Sequence, residues 1–150
     1  MLVNLHALPA VRVETACTVR RAFSFEKDLV LDWVDAEFGR AWRSECDIAF
    51  ARQPVSCFIA IDRDRLLGFG CYDVTARGLF GPMGVAATDR ERGIGTALLV
   101  ASLQAMRDFG YAYVVIGAVA DAQPFYEKVA GATAIPNSAA RISAPPRLRR

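Results

Sequence analysis

The spacing of apolar residues changes period several times along this chain, and each change marks a boundary between strand and helix. Residues 11–19 read as an opening strand. After it, Ser24 stands where a helix cap belongs, and Leu29, Val30, Trp33, Val34 and Phe38 recur at helical spacing. The pattern predicts a helix over 25–38 stopped by Gly39, with Trp33 in the core. A second short helix is predicted over 41–51, ahead of Pro54. Residues 55–61 and 65–75 form two strand-like runs across the polar Asp62-Arg63-Asp64, which predicts an antiparallel hairpin.

Gly78 then turns the chain into a further strand over 79–87, and Pro82 within it has no N–H to give to a ladder. A bulge or a splay is expected there. It would leave the amides near Met83 and Val85 either on an ordinary edge or free to pair with an extended, amide-bearing ligand. Residues 96–109 repeat at helical spacing, with Ala97, Leu98, Ala101, Ala105 and Phe109 toward a sheet and Gly110 as the stop. The apolar run 111–116 has the character of a strand buried on both faces, so strand, helix and strand make a βαβ unit. A last helix starts near Asp121 as N-cap, carries Pro124 in its first turn and ends at Gly131, and residues 132–135 are expected to add a final strand.

Composition narrows the function. A chain of 150 residues makes one domain, placed at 1–138. No apolar stretch approaches the ~20 residues of a membrane span, and residues 1–8 lack a basic start and a long apolar segment, so a cytoplasmic location is expected. Cys17, Cys46, Cys57 and Cys71 show no zinc-ligand spacing and His6 is the only histidine, so no metal is expected and a Ser/His or Cys/His nucleophile has no base. The four arginines of 141–150 more than account for the net charge of +2, leaving the body at −2. The segment 139–150 therefore reads as a basic, mobile tail, and the body does not read as a nucleic-acid binder.

The most specific chemistry lies in Arg90-Glu91-Arg92-Gly93-Ile94-Gly95, followed by Thr96, between a strand and a helix. It is not a P-loop, because the chain has no Gly-Lys pair, nor a Rossmann turn, because Leu98 stands where the third glycine belongs. Gly68-Phe69-Gly70 fails the same test at Asp73. Two readings remain. Gly93 and Gly95 let a pyrophosphate approach the free amides of a helix's first turn, with Arg90 and Arg92 beside it, or the segment is a tight turn with solvated arginines.

With this turn in place, the chain over about residues 11–136 resembles the GNAT superfamily of acetyl-CoA-dependent N-acetyltransferases. Residues 90–95 match the family's Arg/Gln-x-x-Gly-x-Gly/Ala signature, preceded by Gly84-Val85, and Phe125-Tyr126-Glu127-Lys128-Val129-Ala130-Gly131-Ala132 looks like the second signature. The resemblance implies an α/β (α+β) fold with a mixed sheet of six to seven strands. That sheet is mostly antiparallel, with a parallel, splayed pair at the family's fourth and fifth strands, and about four helices flank it. It implies acetyl-CoA as co-substrate and transfer of its acetyl group to a small-molecule or peptide amine by direct attack in a ternary complex.

In that reading Arg90, Arg92, Gly93, Ile94, Gly95 and Thr96 hold the pyrophosphate, and Met83, Gly84 and Val85 pair with pantetheine, with Phe125 alongside. Tyr126 is either the general acid at the departing sulfur or a core tyrosine, and Lys128 either reaches a phosphate or is a surface lysine. Residues 79–85 hold none of the carboxylates some members use as base, and no asparagine lies between Gly117 and Gln123, where many relatives have one. Glu37 and Glu45 are the candidate bases or else surface acids, and Glu37 with Trp42 would line the acceptor site. A homodimer is compatible with the sequence. An acyl-CoA sensor without turnover, or a toxin-type enzyme acetylating charged transfer RNA, are the alternatives.

Overall fold

A computed structural model describes residues 1–138; the basic tail lies outside the described residues. Six strands form one sheet in the order β1-β6-β5-β4-β3-β2. They are β1 (Leu2–Asn4), β2 (Thr18–Arg21), β3 (Cys57–Asp62), β4 (Arg65–Tyr72), β5 (Leu79–Val85) and β6 (Tyr113–Ile116). Four helices accompany them: α1 (Lys27–Phe38), α2 (Arg40–Phe50), α3 (Ile94–Asp108) and α4 (Gln123–Ala130). Every sheet pairing is antiparallel except β5 with β6, where α3 makes the crossover that a parallel pair needs. No described helix is long and apolar enough to cross a membrane.

Strand alternation divides the core into two layers. Cys57 and Ile59 of β3, with Phe69 and Cys71 of β4, face Val30, Leu31, Val34, Cys46 and Ala49 of α1 and α2. On the other face Ala60 and Leu67 meet Ile94 and Leu98 of α3. Leu67 has the same parity as Phe69, yet points the other way. The register shift between Ala60 and Ile61 sets one extra β4 residue there, and this bulge turns Leu67 across the sheet toward α3.

The hairpin, the two-helix segment, the crossover and the caps Gly39 and Gly131 stand where the sequence puts them, because each is specified by local turn chemistry. Several expectations are corrected by long-range pairing. Residues 11–19 are not one strand; only Thr18–Arg21 pairs, with β3, while an unforeseen β1 pairs with β6. The strand expected over 132–135 reduces to a single bridge, Thr133 with Leu2. Ser24 opens a turn of 3-10 helix without capping it; Glu26 supplies the acceptor instead, for the Phe23 N–H at 2.8 Å. Asp121 likewise lies within a short 3-10 turn, Ala120–Ala122.

Facing is corrected as well. Leu29 is 74% and Phe109 64% exposed; α3 buries Ala97 and Leu98 as expected, but with them Leu99, Leu103 and Met106, so its buried stripe runs away from Phe109. Trp33 is half-buried against the first core layer. Tyr113 is 55% exposed, so β6 is not covered on both faces.

Candidate functional site

The site begins where β5 and β6 separate. Their pairing covers only Leu79 with Val115 and Phe80 with Ile116, after which the strands part. Between Gly70–Met83 and Tyr72–Phe80 the β4–β5 register slips, placing the extra residue of a bulge at Gly81–Pro82, as the proline predicts. Beyond it the ladder to β4 resumes, and the Ala86 N–H donates to the Leu67 carbonyl at 2.9 Å. Alternation from Ala86 then directs the Val85 and Met83 amides away from β4, into the gap.

Gly84 lies between them, and a Cβ on it would run into the Phe38 ring. That ring is fixed by stacking on Trp42 at 5.0 Å and by edge contacts with Trp33 and tilted contact with Phe69. Trp42 is thus half-buried in an aromatic cluster rather than standing free as a wall. Glu37 is exposed on the last turn of α1, and Glu45 accepts from Thr75 Oγ1 at 3.2 Å. Neither the geometry nor any contact brings these two acids together.

After β5 the chain makes a 3-10 turn over Ala87–Asp89 and enters α3 through Gly93, whose φ of +73° is left-handed. The structure gives a steric reason for a glycine here. A Cβ on Gly93 would collide with the carbonyl oxygen of Glu14, from the loop that precedes β2 and lies over the turn. Gly95 has more room: an added Cβ would make only ordinary contacts, the nearest with Phe125 at 3.7 Å. The first helical bond is Ala97 N–H to Gly93 carbonyl, so the amides of Ile94, Gly95 and Thr96 precede the ladder. They border a groove of about 370 Å³ that Val85, Arg90, Gly95 and Phe125 also line.

The two arginines of the turn differ in what they do. Arg92 is committed to Asp89, which is 2% exposed and also takes a bidentate grip from Arg65 at 2.8 and 2.9 Å and a bond from Thr88 Oγ1 at 3.0 Å. The Arg65 hydrogen bonds hold the Asp89 carboxyl down at about 2. Arg90 is exposed on the groove wall, with one long bond of 3.5 Å from Nε to the Val85 carbonyl. Asp89 and Arg65 were not singled out in the sequence; the one local signal was an acid three residues before Arg92.

Tyr126 extends from α4 behind Phe125, its ring 5.1 Å from Phe125 and 6.4 Å from Phe80. It is half-buried, and burial pushes its phenol above the ordinary value. Lys128 is exposed and is not among the residues lining the groove. Beside α4, Ala118 and Ala120 take left-handed φ values of +51° and +41° in the loop that leaves β6. These are positions where an L-residue is strained.

Residues 24–132 match the model of the acetyltransferase (GNAT) family. Among solved structures the chain is similar to the GCN5-related glucosamine N-acetyltransferase region of a fungal multi-domain GH3 beta-N-acetylglucosaminidase. That match has a TM-score of 0.65 at 14% identity and covers 86% of this chain and 19% of the fungal one. A Trypanosoma brucei acetyltransferase matches with a TM-score of 0.61 at 18% identity, over 89% of this chain and 99% of that one. The GNAT family N-acetyltransferase YhbS from Escherichia coli, solved in complex with CoA, gives 0.57 at 18% identity over 78% and 70%. At such identities the likeness establishes a shared fold. No curated protein matches the sequence.

Proposed function

Since this chain belongs to the acetyltransferase (GNAT) family, we propose that it moves the acetyl group of acetyl-CoA onto a primary amine, by direct attack with both substrates bound. The observation that carries this reading is the continuity of the open edge of β5 with the groove at the mouth of α3. A diphosphate fits the amides of Ile94, Gly95 and Thr96, with Arg90 supplying charge and Arg92 bracing the turn through Asp89. Pantetheine amides can pair with Met83 and Val85 as an added strand would, which sets the thioester near the bulge.

What the reaction then needs is modest. Holding amine and thioester together supplies much of the rate, and the β5 amides can polarise the acetyl carbonyl. The neutral Tyr126 phenol, raised by burial, is suited to protonate the departing sulfur and not to act as a base. Glu37, exposed on the last turn of α1, and Glu45, tethered to Thr75, are the candidate bases, with Glu37 and Trp42 at the acceptor side. The Phe38–Trp42 stack gives that side an apolar floor.

The test is a melting curve with acetyl-CoA together with release of free thiol across small amines, aminoglycosides, amino sugars, polyamines and peptide N-termini. We expect a rise in melting temperature and turnover with at least one amine class. Stabilisation without thiol release from any acceptor would leave a sensor, and neither effect would remove the coenzyme site.

A further inference from the structure

Three of the four cysteines, scattered along the sequence, meet in space. Cys57 and Cys71 are directly opposed in the β3–β4 register. The neighbouring Tyr72 N–H bonds the Ser56 carbonyl at 3.1 Å, so Cys57 and Cys71 fall on the non-bonded pair, where side chains stand closest. Both point toward α2, and Cys46 from that helix completes a tripod, its Sγ 3.7 Å from that of Cys71. All three sulfurs lie within 4.8 Å of one another, are free, and are 0% exposed.

With bonds near 2.3 Å, a planar three-coordinate centre sets its sulfurs about 4 Å apart and a pyramidal one about 3.3 Å. The Cys71–Cys46 separation of 3.7 Å lies between the two, so a pyramidal atom has only to draw the sulfurs in slightly. Among the described residues no histidine or carboxylate joins it; Asp47, next in sequence, is turned to Lys27 at 2.7 Å. A four-coordinate zinc or iron–sulfur site is therefore one donor short, and oxygen-seeking cations have no ligand at all.

Charge selects further. In an apolar core an unpaired ionic complex is costly. Three thiolates leave −2 around a monovalent ion, −1 around a divalent one and none around a trivalent one. We propose that Cys46, Cys57 and Cys71 form a binding site for one trivalent thiophilic metalloid, delivered as neutral arsenite. Three As–O bonds are replaced by three As–S bonds, and each hydroxide leaves as water with one thiol proton. No oxidant is required, and no net charge is left in the core. The Cys71 thiol donates toward Cys46 at 3.7 Å, and the Cys57 thiol toward the Phe58 carbonyl at 3.6 Å.

Because the tripod is sealed, entry waits on α2 parting from the sheet, and binding is slow in the resting fold. The experiment is intact-mass spectrometry of the folded protein after incubation with arsenite, with and without a pulse of mild urea. Ultraviolet absorption and melting curves are recorded in parallel. We expect a gain of one arsenic less three hydrogens, faster after the pulse, with a higher melting temperature. Cys17→Ser should keep the adduct; Cys46→Ala, Cys57→Ala and Cys71→Ala, each checked for folding by circular dichroism, should weaken it at least tenfold. Cadmium should bind at least tenfold less tightly than arsenite.

The proposal is overturned if folded wild-type protein gains no arsenic after the pulse, or if any one of the three alanine variants keeps it. Cadmium outcompeting arsenite would overturn it too, as would a loss of two hydrogens without arsenic, the mark of a disulfide.

Discussion

The mouth of α3 and the face beneath α1 and α2 lie on opposite sides of β5 and are built on different principles. At the mouth the working parts are backbone: amides of Ile94, Gly95 and Thr96, amides of Met83 and Val85, and a bare Gly95. Beneath the helix pair they are side chains: Trp33, Phe38, Trp42 and Phe69 in one ring cluster, partly edge to face and partly stacked, with three thiols in the same core layer. Gly95 on the first side has room for a Cβ, whereas the space at Gly84 on the second is already filled by the Phe38 ring. Gly95 and Gly84 are the clean pair.

The sharpest break of this contrast is a charge at the mouth. Gly95→Glu should fold normally and lose acetyl-CoA affinity by about 1000-fold, roughly 4 kcal/mol, measured by calorimetry; tight binding would mean the groove is not the diphosphate site. Next, Tyr126→Phe should lower kcat by about 100-fold with a much smaller change in coenzyme affinity. An unaltered kcat would return Tyr126 to the core. Smaller again, Gly84→Ala should destabilise by about 1–3 kcal/mol, since Phe38 is held by three other rings and cannot swing aside. Gly95→Ala, meeting nothing closer than 3.7 Å, should leave the denaturation midpoint in place; equal costs for the two would erase the distinction.

The least effect concerns the brace. Arg65 and its partners depress Asp89 to about 2 from 3.8, so its share of stability is complete above about pH 4. That share is lost as the pH falls through about 2. Asp89→Asn should flatten the acid limb of the stability profile over that window and slacken the turn by releasing Arg92. An acid limb identical to wild type would show that the brace contributes nothing.

How much of this was legible follows from what each feature is made of. The hairpin at Asp62-Arg63-Asp64, the bulge at Pro82, the helix stops at Gly39 and Gly131 and the turn before α3 are local chemistry, and the chain announces them. The groove at the mouth of α3 followed from those elements. The role of Gly93 did not, because its constraint is the Glu14 carbonyl, far away in sequence. Asp89 needed Arg65 from a strand to become a buried anchor, and β1 needed β6 to be a strand at all. The cysteine tripod lacks any ligand spacing, since Cys46, Cys57 and Cys71 arrive on three separate elements. Phe109 misled for the opposite reason: a large apolar residue at helical spacing was placed toward the sheet, and it faces out, as does Leu29 in the helical repeat of α1.

The Phe38 ring resting on Gly84 couples two things that are usually treated apart. With no slack between ring and ribbon, the hinge joining the two helices and the strand offering its amides behave as one lever. If the proposed function holds, an amine bulky enough to tilt that ring must also shift the support of the thioester. Under the proposed function, acceptor choice and coenzyme grip are then not independent, and a variant selected for one will drag the other with it.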